Sequence, residues 1–390
     1  MRVLFSSSSG VGHVQPMLPL ALGMRARGHE VRWVTAEDGC HWVRGSGIDA
    51  AAAGPTTRER MAEYERRWPA YAALRGEARA EMMFPRLFGD VAAHAMFRPL
   101  LDIARRWQPE LIVSEAADFA SPVVAAAMGV PQVTHGFGLV VPRHRVELAG
   151  EMAGPLWREV GLEPRPFGGV YDHLYVDIYP PSMQPDDLSY IDHVTRRRPG
   201  SLTDGHLPID AAVCDLIASD QRLVYVTFGT VFNRTPTFAA AVDALRSFED
   251  IGAIVTVGPD GDVDAFGAMP DHVVVARYVS QDDVFPHASA VVSHAGSGTL
   301  LGALGHGVPQ LCLPQAADQF RNADACAMAG AGIVLKDEGV GAEAVALALL
   351  QVLRDVKYRD AAVRVSEEIA SMPAVDDVVT ELEGSIEKTG

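Results

Sequence analysis

No stretch of the 390-residue sequence approaches the ~18 consecutive apolar residues of a membrane span, so a soluble globular protein without a membrane partner is expected. Positive charge is in short supply: 33 Lys and Arg stand against 50 Asp and Glu, a formal net charge of −17. That imbalance repels polyanions at long range, argues against nucleic acid as a partner and requires any phosphate to be held by local geometry. The one basic cluster, Arg196-Arg197-Arg198, precedes Pro199-Gly200 and reads as a solvated linker face. Cysteine is scarce as well. Cys40, Cys214, Cys312 and Cys326 fall outside any CxxC or Cys/His spacing, so buried free thiols are expected rather than disulfides or zinc ligands. The opening MRVLFSSSSG lacks a charged n-region and a signal core, and with the thiols it points to the cytoplasm.

Several catalytic signatures are also missing. No Lys follows the glycines as in a P-loop, and there is neither a GxGxxG fingerprint nor a GxSxG elbow. No DxD motif ends a strand. Asp186-Asp187 and Asp282-Asp283 fall in expected loops, so no metal site and no cofactor are expected.

What is present is alternation. RVLFSS, HEVRWVT, PELIVSE and VPQVTHG read as strands separated by helical runs such as PMLPLALGMRARG, which implies a doubly wound parallel sheet with helices on both faces. The segment from about 55 to 105 is irregular and reads as mobile helices and loops over a sheet edge. A stretch rich in Pro, Gly and Asp from about 164 to 210 places the linker near its end, and from RLVYVTFGT onward the pattern starts again. Two α/β domains follow, 1–205 and 206–390, with the terminal helices free to pack back on the first.

In open parallel sheets ligands bind beyond the carboxyl ends of strands, and three loops stand there. In AVVSHAGSGT, the small residues let backbone N–H groups approach a ligand, and Ser297 to Thr299 open a helix whose unpaired donors and positive dipole end suit a diphosphate. His294 is placed to donate to the same oxygens; tight helix-sheet packing is the other use of such glycines. In SSSSGVGHVQP, His13 stands at the mouth of the first sheet, where a neutral imidazole can accept a hydroxyl proton. LIVSEAAD supplies Glu115 and Asp118 as carboxylates to orient it. In LPQAADQFRNA, Asp318 and Gln319 could face sugar hydroxyls or could simply cap a helix.

Taken together, GHVQPMLPLALGMRARGHEV, LIVSEAADFASPVVAAAMGVP, VTFGT, the block from RYVSQ through QFRNA, and GAGIVL resemble the family-one GT-B glycosyltransferases. The likeness is greatest to the actinobacterial enzymes that attach sugars to polyketides, macrolides and related natural products. It implies two Rossmann-like domains facing across a cleft and an inverting, metal-independent transfer of a sugar, with a deoxysugar on thymidine diphosphate favoured over a uridine diphosphate sugar. The acceptor would be a bulky apolar aglycone. His13 matches the family's base, and Glu115 stands where the partnering Asp is usual, with Asp118 as fallback. His294, Gly296, Ser297, Gly298 and Thr299 match the diphosphate motif, although Ser293-His294-Ala295-Gly296-Ser297-Gly298-Thr299 replaces two positions of the usual HHGG-GT pattern. Thr230 would face the same group. Asp318 and Gln319 match the sugar-hydroxyl pair, and Tyr278, Val279 and Gln281 the nucleobase and ribose site. Phe84, Phe88 and Phe137 could line the aglycone pocket or serve as ordinary core. Rival readings are a nucleotide-sugar epimerase or hydrolase and a non-catalytic auxiliary partner of another transferase. Both monomer and homodimer stand as assemblies.

Overall fold

The computed structural model describes residues 1–185, 187–200, 210–229, 232–336 and 339–387. The chain divides into two compact units. The first comprises Met1–Tyr179, the segment ending at Gly200 and the segment starting at Met372; the second comprises Pro180–Pro185 and the chain up to Ser371. The boundary expected between 205 and 206 falls outside the described residues. No helix of the described residues is long and apolar enough to cross a membrane.

The first unit holds strands β1 (Arg2–Ser6), β2 (Glu30–Thr35), β3 (Asp49–Ala52), β4 (Leu111–Glu115), β5 (Gln132–His135), β6 (Leu174–Asp177) and β7 (Val194–Arg196). They pair in parallel in the order β3-β2-β1-β4-β5-β6-β7. The central strands are buried along their length, as a sheet covered on both faces requires: every residue of LIVSE in β4 is inaccessible. The strand order reverses between β1 and β4, and there the carboxyl ends of adjacent strands open a crevice. Ser6 pairs with Ser114, so the loops after both strands start level with one another.

The second unit repeats the plan with β8 (Arg222–Thr227), β9 (Ile251–Thr256), β10 (Val273–Ala276), β11 (Ala288–Ser293), β12 (Gln310–Cys312) and β13 (Gly332–Val334). Its parallel order is β10-β9-β8-β11-β12-β13, and the reversal lies between β8 and β11. Thr227 pairs with Ser293, which brings the following loops together at that point.

Three expectations need correction. Residues 55–105, expected as irregular helices and loops, are helical over most of their length: Thr57–Arg67, Pro69–Ala73, Gly76–Phe84, a π-helical stretch Pro85–Ala92 and Ala93–Trp107. A capping box starts the first of these, with Thr56 Oγ1 accepting from Glu59 N and Glu59 Oε2 accepting from Thr56 N. Their apolar residues, including Tyr64, Leu87, Phe97 and Leu100, belong to the core of the unit. The basic cluster is a solvated face only in part: Arg198 is exposed and Arg196 half-buried, but Arg197, which follows β7, turns inward. Arg197 is fully buried, donating from Nη2 to Pro16 O at 2.8 Å, from Nη1 to Arg198 O at 2.8 Å and from Nε to His135 Nε2 at 3.3 Å. Burial holds its guanidinium down to about 10, and burial followed by the Arg197 charge holds the His135 imidazole well below its ordinary range. The four cysteines are free, but Cys214 is exposed while the other three are buried.

The π-helical stretch depends on one close approach. A methyl on Gly89 would fall on the backbone of Ala149, in the helix Arg143–Glu159. Gly89→Ala should therefore cost about 1–3 kcal/mol by forcing the helices apart. Urea unfolding would check it; an unchanged midpoint would mean the contact is soft.

Candidate functional site

In the first unit the loop after β1 turns through Ser7–Gly10 into the short helix Val11–Val14, which carries His13. Its Nδ1 lies 2.9 Å from Glu115 Oε2. Glu115 is wholly buried, whereas the His13 side chain keeps 19% of its exposure. Ser8 N donates to Glu115 Oε1 at 3.0 Å and Ala117 N to Oε2 at 3.2 Å. Burial by itself would raise the Glu115 carboxyl; the charge and hydrogen bond of His13 and the two amides outweigh it, and the carboxyl sits below its ordinary range. A carboxylate only accepts, so Nδ1 carries the proton and the Nε2 lone pair is left to act on something else. Phe137 and Phe88 flank the ring, with centroids 4.7 and 5.5 Å away. Phe84 stands behind, touching Phe88 and Phe119 rather than His13.

Asp118 does not reach His13, which corrects the fallback assignment. Its Oδ2 accepts from Ser6 Oγ at 2.5 Å and Ser121 Oγ at 2.6 Å, and its Oδ1 from Ala120 N at 2.9 Å and Ser121 N at 3.0 Å. It thus ties β1 to the start of the helix Ser121–Met128. Burial nevertheless leaves its carboxyl above the ordinary range, these hydrogen bonds only partly opposing the shift.

In the second unit His294 follows directly on β11, Ala295 takes a left-handed backbone at φ 62°, and Gly296 is the extended N-cap of the helix Ser297–Gly305. A Cβ on Gly296 would lie 2.7 Å from His294 Nε2, so the imidazole rests on bare backbone. His294 Nδ1 is buried beside the Thr227 carbonyl without reaching hydrogen-bond geometry. Phe232 and Phe228 lie 5.6 and 6.1 Å from the ring. Burial pushes this imidazole down to about 4, against the opposing pull of Asp318 and of the Thr227 carbonyl.

The neighbouring loops are tied together by side chains. Asn322, fully buried, donates from Nδ2 to Ala295 O at 3.0 Å, Ser297 Oγ at 3.1 Å and Asp318 Oδ2 at 2.9 Å. Ser297 Oγ in turn donates to Asp318 Oδ2 at 3.2 Å, and Gln281 Nε2 donates to Thr299 Oγ1 at 3.1 Å. Gln319 Oε1 accepts from the amides of Gln315 and Ala316, both at 2.9 Å. Asp318 and Gln319, expected to face a sugar, thus also brace the loop that carries them. Gly298 has open space where a Cβ would stand, Tyr278 is 45% exposed, and Val279 packs into the core. Thr230 lies outside the described residues.

Asn322 is the residue of this second site that the sequence reading missed. It stands four positions after Asp318 on the helix Gln319–Met328, a spacing that sets it beside that carboxylate.

The His294 geometry has a pH consequence. The unfolded imidazole takes its proton near 6.5 and the folded one only near 4, so the unfolded chain binds more protons between those values. Stability therefore falls as pH drops through that window, by up to about 3 kcal/mol. Urea midpoints at pH 4.5 and 7 should differ by less in His294→Gln than in the natural protein; equal differences would remove His294 as the source.

Each strand-order reversal brings two loops together where an open α/β sheet binds its ligand. Residues 22–195 match the N-terminal domain and residues 241–384 the C-terminal domain of the family described as erythromycin biosynthesis protein CIII-like. The elloramycin glycosyltransferase ElmGT of Streptomyces olivaceus is 33% identical over 98% of this chain and 97% of its own. The crystal structure of the glycosyltransferase SnogD from Streptomyces nogalater, 25% identical, covers 99% of both chains with a TM-score of 0.77. The spinosyn rhamnosyltransferase SpnG complexed with thymidine diphosphate, also 25% identical, covers 98% of this chain and all of its own with a TM-score of 0.79. The chain belongs to the erythromycin biosynthesis protein CIII-like family of GT-B glycosyltransferases and is a glycosyltransferase of the antibiotic-biosynthesis type.

Proposed function

We propose that the protein transfers a deoxysugar from thymidine diphosphate to a hydroxyl of a bulky, largely apolar natural-product aglycone, with inversion at the anomeric carbon. The observation that carries this reading is the His13–Glu115 pair, whose tautomer leaves Nε2 as a base between two aromatic rings. His13 takes the hydroxyl proton as the acceptor oxygen attacks, and Glu115 stabilises the imidazolium that forms. The nucleoside diphosphate leaves from the opposite face, hence inversion. Charge gathers on the leaving diphosphate, and the N-terminus of the helix Ser297–Gly305 with the bare backbone at Gly296 offers donors for it without a metal. Asp318 and Gln319 are assigned to the sugar, Tyr278, Gln281 and the backbone of Val279 to the nucleoside, and Phe88 and Phe137 to the aglycone. Support for the donor comes from relatives: one is the TDP-daunosamine transferase DnrS of Streptomyces peucetius, and the SpnG complex holds thymidine diphosphate.

The test is thermal unfolding with thymidine, uridine and guanosine diphosphates, each with and without magnesium. A ligand at about 100 times its dissociation constant stabilises the native state by roughly 2.7 kcal/mol. A selective, magnesium-independent shift with thymidine diphosphate is the expected result; no shift with any of the three would leave the Gly296 loop without its ligand.

A further inference from the structure

Arg60, on the helix Thr57–Arg67, is only 6% exposed, yet no described residue accepts a hydrogen bond from its guanidinium. Its Nε is sealed from solvent without a partner. The carboxylates that attract it, Glu115 and Asp38, do so without forming an ion pair. The guanidinium lies over the face of Phe88, with Cζ 5.4 Å from the ring centroid. A buried cation left unpaired is costly, so an arrangement of this kind points to a ligand.

Arg60 also lines a cavity of about 30 Å³, with Ser7, Ser9, Met96, Asp118 and Phe119 among the other walls. That volume is enough for one small polar group. We propose that Arg60 and this cavity form a subsite of the acceptor site for a carbonyl oxygen of the aglycone, a ketone or a quinone. The chemistry follows from what is there. A guanidinium only donates, so its partner must bring lone pairs. Asp118 lies on the same wall with both oxygens already hydrogen-bonded, and Glu115 is near, so a neutral carbonyl suits the site better than another carboxylate. Phe88 touches both Arg60 and His13, which sets the subsite one aromatic ring from the base.

The proposal rests on the acceptor lying at His13. Its test uses two flat phenols that differ in their carbonyls, 2-hydroxyanthraquinone and 2-hydroxyanthracene, with binding measured by quenching of tryptophan fluorescence. Thymidine diphosphate binding is measured alongside as an independent control. The natural protein should prefer the quinone at least tenfold, and Arg60→Met should lose that preference while binding the nucleotide unchanged. Should Arg60→Met fail to fold, Arg60→Lys, which keeps the charge but not the two-pronged fork, should lose at least threefold. Equal binding of the two phenols by the natural protein, binding of neither, or an undiminished preference in the variant overturns the subsite while leaving the transferase reading standing. Loss of thymidine diphosphate binding in the natural protein would count instead against the transferase reading.

Discussion

His13→Ala should lower sugar transfer by about 10³- to 10⁴-fold while thymidine diphosphate binds as before. That is the upper part of what a positioned general base contributes, about 10²–10⁴-fold, because the imidazolium that Glu115 would stabilise is lost with the base. Glu115→Gln should fall between this variant and the natural enzyme, because the ring keeps its place but loses its counter-charge. The sign of the pH effect is fixed by the carboxyl. Burial raises it, but His13 and the two amides outweigh that and hold it below its ordinary range, so Glu115 contributes stability above about pH 4.5 that fades as pH falls through its lowered value. Single-turnover rates and nucleotide titration of both variants decide the matter. Near-normal turnover in His13→Ala would remove His13 as the base.

Gly296→Val should weaken thymidine diphosphate binding by at least about 30-fold, equivalent to roughly 2 kcal/mol. The backbone at Gly296, with φ −63° and ψ 139°, is one any residue adopts, so strain is not the cause. Space is: the added carbons would collide with His294 Nε2 and cover the amides that open the helix. Calorimetric titration would measure it, with unfolding temperature as control. A folded variant that binds normally would show that the diphosphate lies elsewhere.

Much of this layout could be read from the residues alone because glycine and small residues after an apolar run carry a physical message: backbone approaches something there. What escaped was set by tertiary packing. Arg60 lies in RERMAEYERR, where one guanidinium among many reads as solvated, and only the packing of that helix over Phe88 buries it. The choice between Glu115 and Asp118 depends on a two-residue turn, Ala116-Ala117, that points one carboxylate at the ring and the other at Ser6 and Ser121. Strands β3, β6 and β7, with 4, 4 and 3 residues, are too short for alternation to stand out.

The last helix of the described chain, Val375–Glu387, packs on the helix Leu18–Ala26, with Val375 at the face of Gly23 and Glu383 accepting from His29 Nε2 at 2.8 Å. A ribosome making this chain would therefore release every strand of both sheets before the first unit could be closed. The unit begun first is finished last, and a stop codon a few turns early would leave the first unit uncovered at Gly23 while the second sheet was already complete.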